Sequence, residues 1–162
     1  MQKMKFFFEK NPKRFGHNDF VFETLDKKIY KSVDTYYFAL DNNFLENNES
    51  QEKVVLTLIA YLNILIQEVE KLSICGDQLL FPFDFSDEYI GFLMIFKDDK
   101  DCLLINYGIT TSLQGYSYYP TNFKDFPQNI DVDHVDKWNY QITIIDFISN
   151  IEDSIQNLNR QL

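Results

Sequence analysis

The sequence predicts an α+β protein: an antiparallel β-sheet with helices packed mainly on one face. Segments of strand character fall in one block, 79–118, followed by a last strand at 138–143. Stretches with apolar residues at helical spacing flank that block. Within it, two nearly continuous apolar runs, EYIGFLMIF and CLLINYG, are joined by the polar hairpin turn KDDKD.

Each element has a local reason. Lys5–Glu9, in a basic and aromatic N-terminal stretch, reads as an edge strand. From Leu25 the spacing of Ile29, Val33, Tyr36/Tyr37 and Leu40 predicts one face of a helix, broken at Asp41–Asn43. After the Asn/Glu-rich connector NNFLENNESQEK, Ser50 is the expected N-cap and Glu52 puts a negative charge in the first turn. The helix then runs to about Leu72, with Val55, Leu58, Leu62, Leu65 and Val69 on a broad apolar face and Gly76 beyond its end.

In LLFPFDFS, Phe81, Phe83 and Phe85 alternate with Pro82, Asp84 and Ser86. A period of two sends the rings to one face and Asp84 to the other, wet face. Pro82 has no N–H for a ladder and so marks an edge. The runs 90–97 and 102–108 are apolar throughout, as central strands covered on both faces are. TTSLQGYSYY is expected to continue the sheet to Pro120, and 121–137 to be a loop. WNYQITI is the last strand, and Ile144, Phe147, Ile151, Ile155 and Leu158 mark a terminal helix.

At 162 residues, 45% of them hydrophobic and with 16 Phe and 10 Tyr, the chain suits a single domain spanning 1–162. Its charge of −10 is uneven: residues 1–31 hold eight Lys/Arg against four Asp/Glu, and 32–162 hold seven against twenty-one. So acidic a body repels phosphate backbones, which argues against nucleic acid as a partner. It attracts basic proteins, although net charge also serves solubility alone. The apolar run Phe6–Phe8 is too short for a signal peptide, and Val54–Ile66 falls short of a membrane span. The expected setting is the cytoplasm, with no membrane partner and with Cys75 and Cys102 as reduced, buried thiols.

Catalytic signatures are lacking. GYSYY has Gly-x-Ser without the second glycine of a nucleophile elbow, and the only histidines are His17 and His134. GITTSLQG lacks the GK[ST] of a phosphate-binding loop. DVDHVD, read as a calcium loop from Asp131, fails at Val135, Asp136 and Ile142. No cofactor and no metal are therefore expected. The remaining candidates are acids in three clusters: Asp84, Asp87 and Glu88; Asp98, Asp99 and Asp101; Asp131, Asp133 and Asp136. Asp84, Asp87 and Glu88 read as uniformly wet, either as turn and cap residues or as part of an acidic patch. Residues 77–136 hold eleven acids against three lysines, and loops at one region of a sheet would present the clusters together, with Tyr89, Tyr107, Tyr116, Tyr118 and Tyr119 as anchors.

The text FPFDFSDEYIGFLMIFKDDKDCLLINYGITTSLQGYSYYPTN, its acidic loop and the terminal DFISNIEDSI resemble small acidic immunity proteins, encoded beside polymorphic or contact-dependent toxins in bacteria. The resemblance covers roughly Leu79 to Ile155. It implies a cytoplasmic α+β protein without catalysis that binds a basic toxin domain, often a nuclease, and blocks its active site. It carries over no residues, because such interfaces vary with the toxin; the nine acids rest on charge alone. The alternatives are a small ligand-binding or enzymatic domain with a pocket over the sheet, or a structural adaptor, including a homodimer formed through an edge strand.

Overall fold

Strand character begins early. In the computed structural model, which describes residues 3–9, 19–45, 50–98 and 100–162, the expected edge strand is β1 (Met4–Glu9). It pairs antiparallel with β2 (Asp19–Thr24), which pairs antiparallel with β3 (Tyr30–Asp34). The helix expected from Leu25 is therefore a hairpin and a strand, and only the five-residue α1 (Tyr36–Leu40) is helical. Local chemistry closes the turn. Asp26 accepts from the Thr24 hydroxyl and the Lys28 N–H, Lys27 takes φ +56°, and Thr24 N–H bonds back to Ile29 C=O. The spacing of Ile29 and Val33 fits a helix, but pairing with β2 overrides it.

Helix α2 (Gln51–Glu70) starts as expected, with Ser50 Oγ accepting from Lys53 N–H. Then come β4 (Gln78–Phe85), β5 (Ile90–Lys97), β6 (Cys102–Thr110), β7 (His134–Thr143) and α3 (Ile144–Asn159). The class is α+β, but the single expected sheet is two antiparallel sheets, β1-β2-β3 and β4-β5-β6-β7. Strands β5 and β6 are central and β4, which carries Pro82, is an edge. That edge is blunted: Gln128 bonds both the N–H and the C=O of Leu80, and the Tyr61 hydroxyl donates to Pro82 C=O.

TTSLQGYSYY does not extend the sheet. The Thr110 and Ser112 hydroxyls bond each other at 2.8 Å as the chain turns, and Gly115–Ser117 is a single 3-10 turn. The expected loop ends early, because His134 and Val135 already pair with Ile109 and Gly108. Between them, Phe123 and Phe126 are buried, against Phe81 and Phe92. Among the described residues, most of the buried apolar side chains form one cluster, in which α2 contributes Val55, Leu58, Tyr61, Leu62 and Leu65 and α3 contributes Phe147, Ile151 and Leu158.

Candidate functional site: a cleft of carboxylates and tyrosines

The alternation read from LLFPFDFS breaks at one residue. Pro82 pairs with Phe92 and Asp84 with Gly91, so Phe83 is an extra residue, a β-bulge. The bulge turns Asp84 inward. Contrary to the expected wet acid, Asp84 is 7% exposed, while Asp87 and Glu88 are exposed. The three carboxylates are thus not uniformly wet. Lys31 Nζ lies 3.4 Å from Asp84 Oδ2, the Tyr107 hydroxyl donates to the same oxygen at 3.0 Å, and the Tyr89 hydroxyl reaches it at 3.3 Å. Lys31 Nζ also sits 4.3 Å above the centre of the Tyr107 ring. Gly91 makes the arrangement possible: a Cβ there would collide with the Tyr107 hydroxyl and stand 2.9 Å from Asp84 Cβ. Burial, and then the Asp84 charge, push the Tyr107 hydroxyl far above the ordinary tyrosine pKa, so it remains a donor.

Around Asp84 opens a cleft of about 620 Å3 between β3 and the β4–β5 turn, lined by Lys31, Asp34, Tyr36, Tyr37, Asp87 and Tyr89 among others. The Tyr37 hydroxyl donates to Asp87, and burial followed by that carboxylate raises its pKa. Asp34 Oδ1 accepts from Tyr36 N–H at 2.7 Å. A second depression of about 260 Å3 shares Tyr37 and is lined by Leu40, Asn42, Tyr116, Tyr118 and Tyr119. Gly115 joins the two: its N–H donates to Ser86 C=O at 2.6 Å, and a Cβ there would lie 2.7 Å from that oxygen. The close approach holds the tyrosine segment against the acidic turn. Tyr116 is 64% exposed, Tyr119 49% and Tyr36 39%.

The three acidic clusters do not share one region. Strand β5 spans eight residues, Ile90–Lys97, so the turn at Asp87 and the turn at Asp98–Asp101 lie about 25 Å apart at opposite ends of the sheet. Asp99 lies outside the described residues; Asp101 pairs with Lys97 at 2.8 Å and Asp98 accepts from Lys100 N–H. Asp133 accepts from the N–H and hydroxyl of Thr111, which hold its pKa below the ordinary value, and so belongs to the Asp87 end, since Thr110 pairs with Ile90. Asp131 is exposed beside it, and Asp136 bonds His134 at 2.9 Å. Among the described residues no three His, Cys, Asp or Glu side chains gather as metal ligands. His17 lies outside the described residues. Cys75, expected buried, is exposed in the turn after α2, and Cys102 is half-buried; both are free.

No family model, curated protein or solved structure matches this chain. Among the described residues no helix is long and apolar enough to cross a membrane.

Sequence reading missed Lys31, Tyr36 and Tyr37 as parts of the site, because it assigned all three to a helical stretch. The available signal was Pro82 followed by an acid inside a Phe-rich strand: a proline where the ladder must be interrupted is a place to expect a bulge.

Proposed function

We propose that this is an immunity protein that binds and neutralises a cognate, basic toxin domain of nuclease type, in the cytoplasm, through the acidic and tyrosine-lined end of its four-stranded sheet. One observation carries the reading: exposed Tyr36 lines the cleft beside Asp87, and exposed Tyr116 and Tyr119 line the adjoining depression, which shares Tyr37 with it. Rigid aromatic anchors supply contact area at low entropic cost, and neighbouring carboxylates steer a basic surface toward them. Blocking a nuclease by this route requires no chemistry of the inhibitor, only a surface that occupies the cationic groups meant for phosphate.

The test screens purified basic, nuclease-type toxin domains for binding to this protein and follows a binding pair by calorimetry and stopped flow. Reversal at Asp87 and Glu88 to Lys is expected to weaken binding about tenfold, or about 1.4 kcal/mol. Association should slow as salt rises from about 0.1 M to about 1 M, over which the Debye length falls from about 10 Å to about 3 Å. Reversal of Asp98 and Asp101, at the far end, is expected to change affinity less than about twofold. If both reversals leave affinity and salt dependence unchanged, the acidic-surface mechanism is wrong and the charge serves solubility.

A second reading, a small-ligand domain, has its own support in a cleft of about 640 Å3 between the β2–β3 turn and β7, where Lys3, Lys28 and Lys137 gather beside Trp138 and Tyr140 on this acidic protein. Native mass spectrometry of the purified protein separates the two: an anionic small molecule retained at equal stoichiometry favours this one.

A further inference from the structure

We propose that the cleft between the β2–β3 turn and β7 binds a small aromatic phosphate, an inference that rests on the small-ligand reading of this cleft, names its ligand class and stands apart from the immunity reading. At about 640 Å3 the cleft has the size of a small-molecule site, and it shares no lining residue with the cleft at Asp84. Its charge is opposite to that of the molecule. On a chain of net charge −10, Lys3, Lys28 and Lys137 line it against one carboxylate, Asp26. That carboxylate is already held: Oδ1 accepts from the Thr24 hydroxyl and the Lys28 N–H, and Oδ2 lies 3.2 Å from Lys28 Nζ. Lys3 and Lys137 are exposed and form no ion pair with a described residue. Two ammonium groups without counter-charges at one cleft favour a ligand with close to two negative charges, which a phosphate monoester carries near neutral pH.

The walls beside the lysines favour an aromatic body over a bare anion. Leu25, which lines the cleft, is 69% exposed, so apolar surface is left uncovered there. Trp138 and Tyr140 line it too. The Trp138 ring is stacked on Phe22 and on Tyr107, each with ring centres 5.5 Å apart, and two such partners hold it rigid. A rigid wall lowers the entropic cost of binding, and an aromatic wall gains more from a ligand ring than from an aliphatic chain of equal area. The Tyr140 hydroxyl is buried without a hydrogen-bond partner among the described residues, and burial raises its pKa to about 12, so it stays a donor. An unpaired donor is unfavourable, and a ligand oxygen that reaches it supplies the missing acceptor.

The probe is naphthyl phosphate, titrated into isotope-labelled protein beside naphthol and inorganic phosphate, with amide and indole N–H shifts read by NMR. Naphthyl phosphate is expected to give saturable shifts at Ile29, Trp138 and Tyr140 and to bind at least about tenfold tighter than either half alone. Adenosine monophosphate, run alongside, identifies a nucleotide as the source if it binds tighter than the naphthyl ester and a simpler aryl phosphate if it binds more weakly. Lys3→Gln and Lys137→Gln together should weaken naphthyl phosphate at least about tenfold, and each alone about threefold. The urea midpoint should stay unchanged, because both side chains are exposed. Lys71→Gln, outside the cleft, should change binding less than about twofold. Absence of saturable shifts, shifts confined to other surfaces, equal binding of naphthol or of inorganic phosphate, or unchanged affinity of the double variant overturns the proposal. If native mass spectrometry finds an anionic molecule retained while naphthyl phosphate fails to bind, the small-ligand reading stands and the aromatic phosphate falls. Either result leaves the immunity reading to the toxin-domain titrations.

Discussion

At Gly91 the missing side chain is the structural feature, because the Tyr107 hydroxyl and Asp84 occupy the room a methyl group would need. Gly91→Ala therefore forces Tyr107 out of its hydrogen bond or pushes β4 away from β5. The expected loss is about 1–3 kcal/mol, as for other overpacked sites, read as a lower urea midpoint with an unchanged slope. A change near zero would mean that Tyr107 swings aside freely and that Asp84 does not depend on it. The same residues explain why the opening acid of the sheet was misread. Alternation is a local rule, and the bulge at Phe83 that suspends it becomes visible only once β4 is paired with β5.

Among the elements, the contact between β1 and α3 shows how an edge strand is covered. The Phe6 N–H donates to Ser154 Oγ at 3.0 Å, and that hydroxyl donates to Asn150 C=O. Ser154→Ala leaves a buried N–H without a partner and is expected to cost about 1–3 kcal/mol, with faster hydrogen exchange at Phe6 than at its β1 neighbours. Unchanged exchange would mean that water replaces the serine and that the edge is open. In α2, Leu62 is 1% exposed at the centre of the core. Leu62→Ala should cost about 2–5 kcal/mol by thermal or urea unfolding, and a much smaller loss would make α2 peripheral.

Over the whole molecule, buried tyrosines set the alkaline limit of stability. Burial raises the pKa of Tyr37, Tyr61, Tyr89, Tyr107 and Tyr140, the last to about 12. In the unfolded chain these groups ionise near pH 10. The folded protein binds more protons above that pH, so its stability is fully present below about pH 10 and falls as pH rises through the folded values. Circular dichroism between pH 8 and pH 12 should show unfolding together with the rise in tyrosinate absorbance. Ionisation of all ten tyrosines near pH 10, with the fold intact, would contradict this burial.

Local pattern was sufficient wherever neighbours in sequence are also neighbours in space. The cap at Ser50, the apolar face of α2, the β5–β6 hairpin and the amphipathic α3 each depend on interactions within a few residues. Composition alone likewise gave the uneven charge and the aromatic core. The tertiary structure decided the rest. The segment from Leu25 is a hairpin because β2 lies beside it, an interaction that outweighs helical spacing. The acids at Asp98–Asp101 are separated from those at Asp87 by the length of β5, a distance that charge counting along the chain does not register. The cleft itself joins Lys31 to Asp84 and Tyr37 to Asp87, fifty residues or more apart in sequence. Such pairings exist only after strand register and the bulge at Phe83 have fixed which side chains face one another, so no window along the chain contains them.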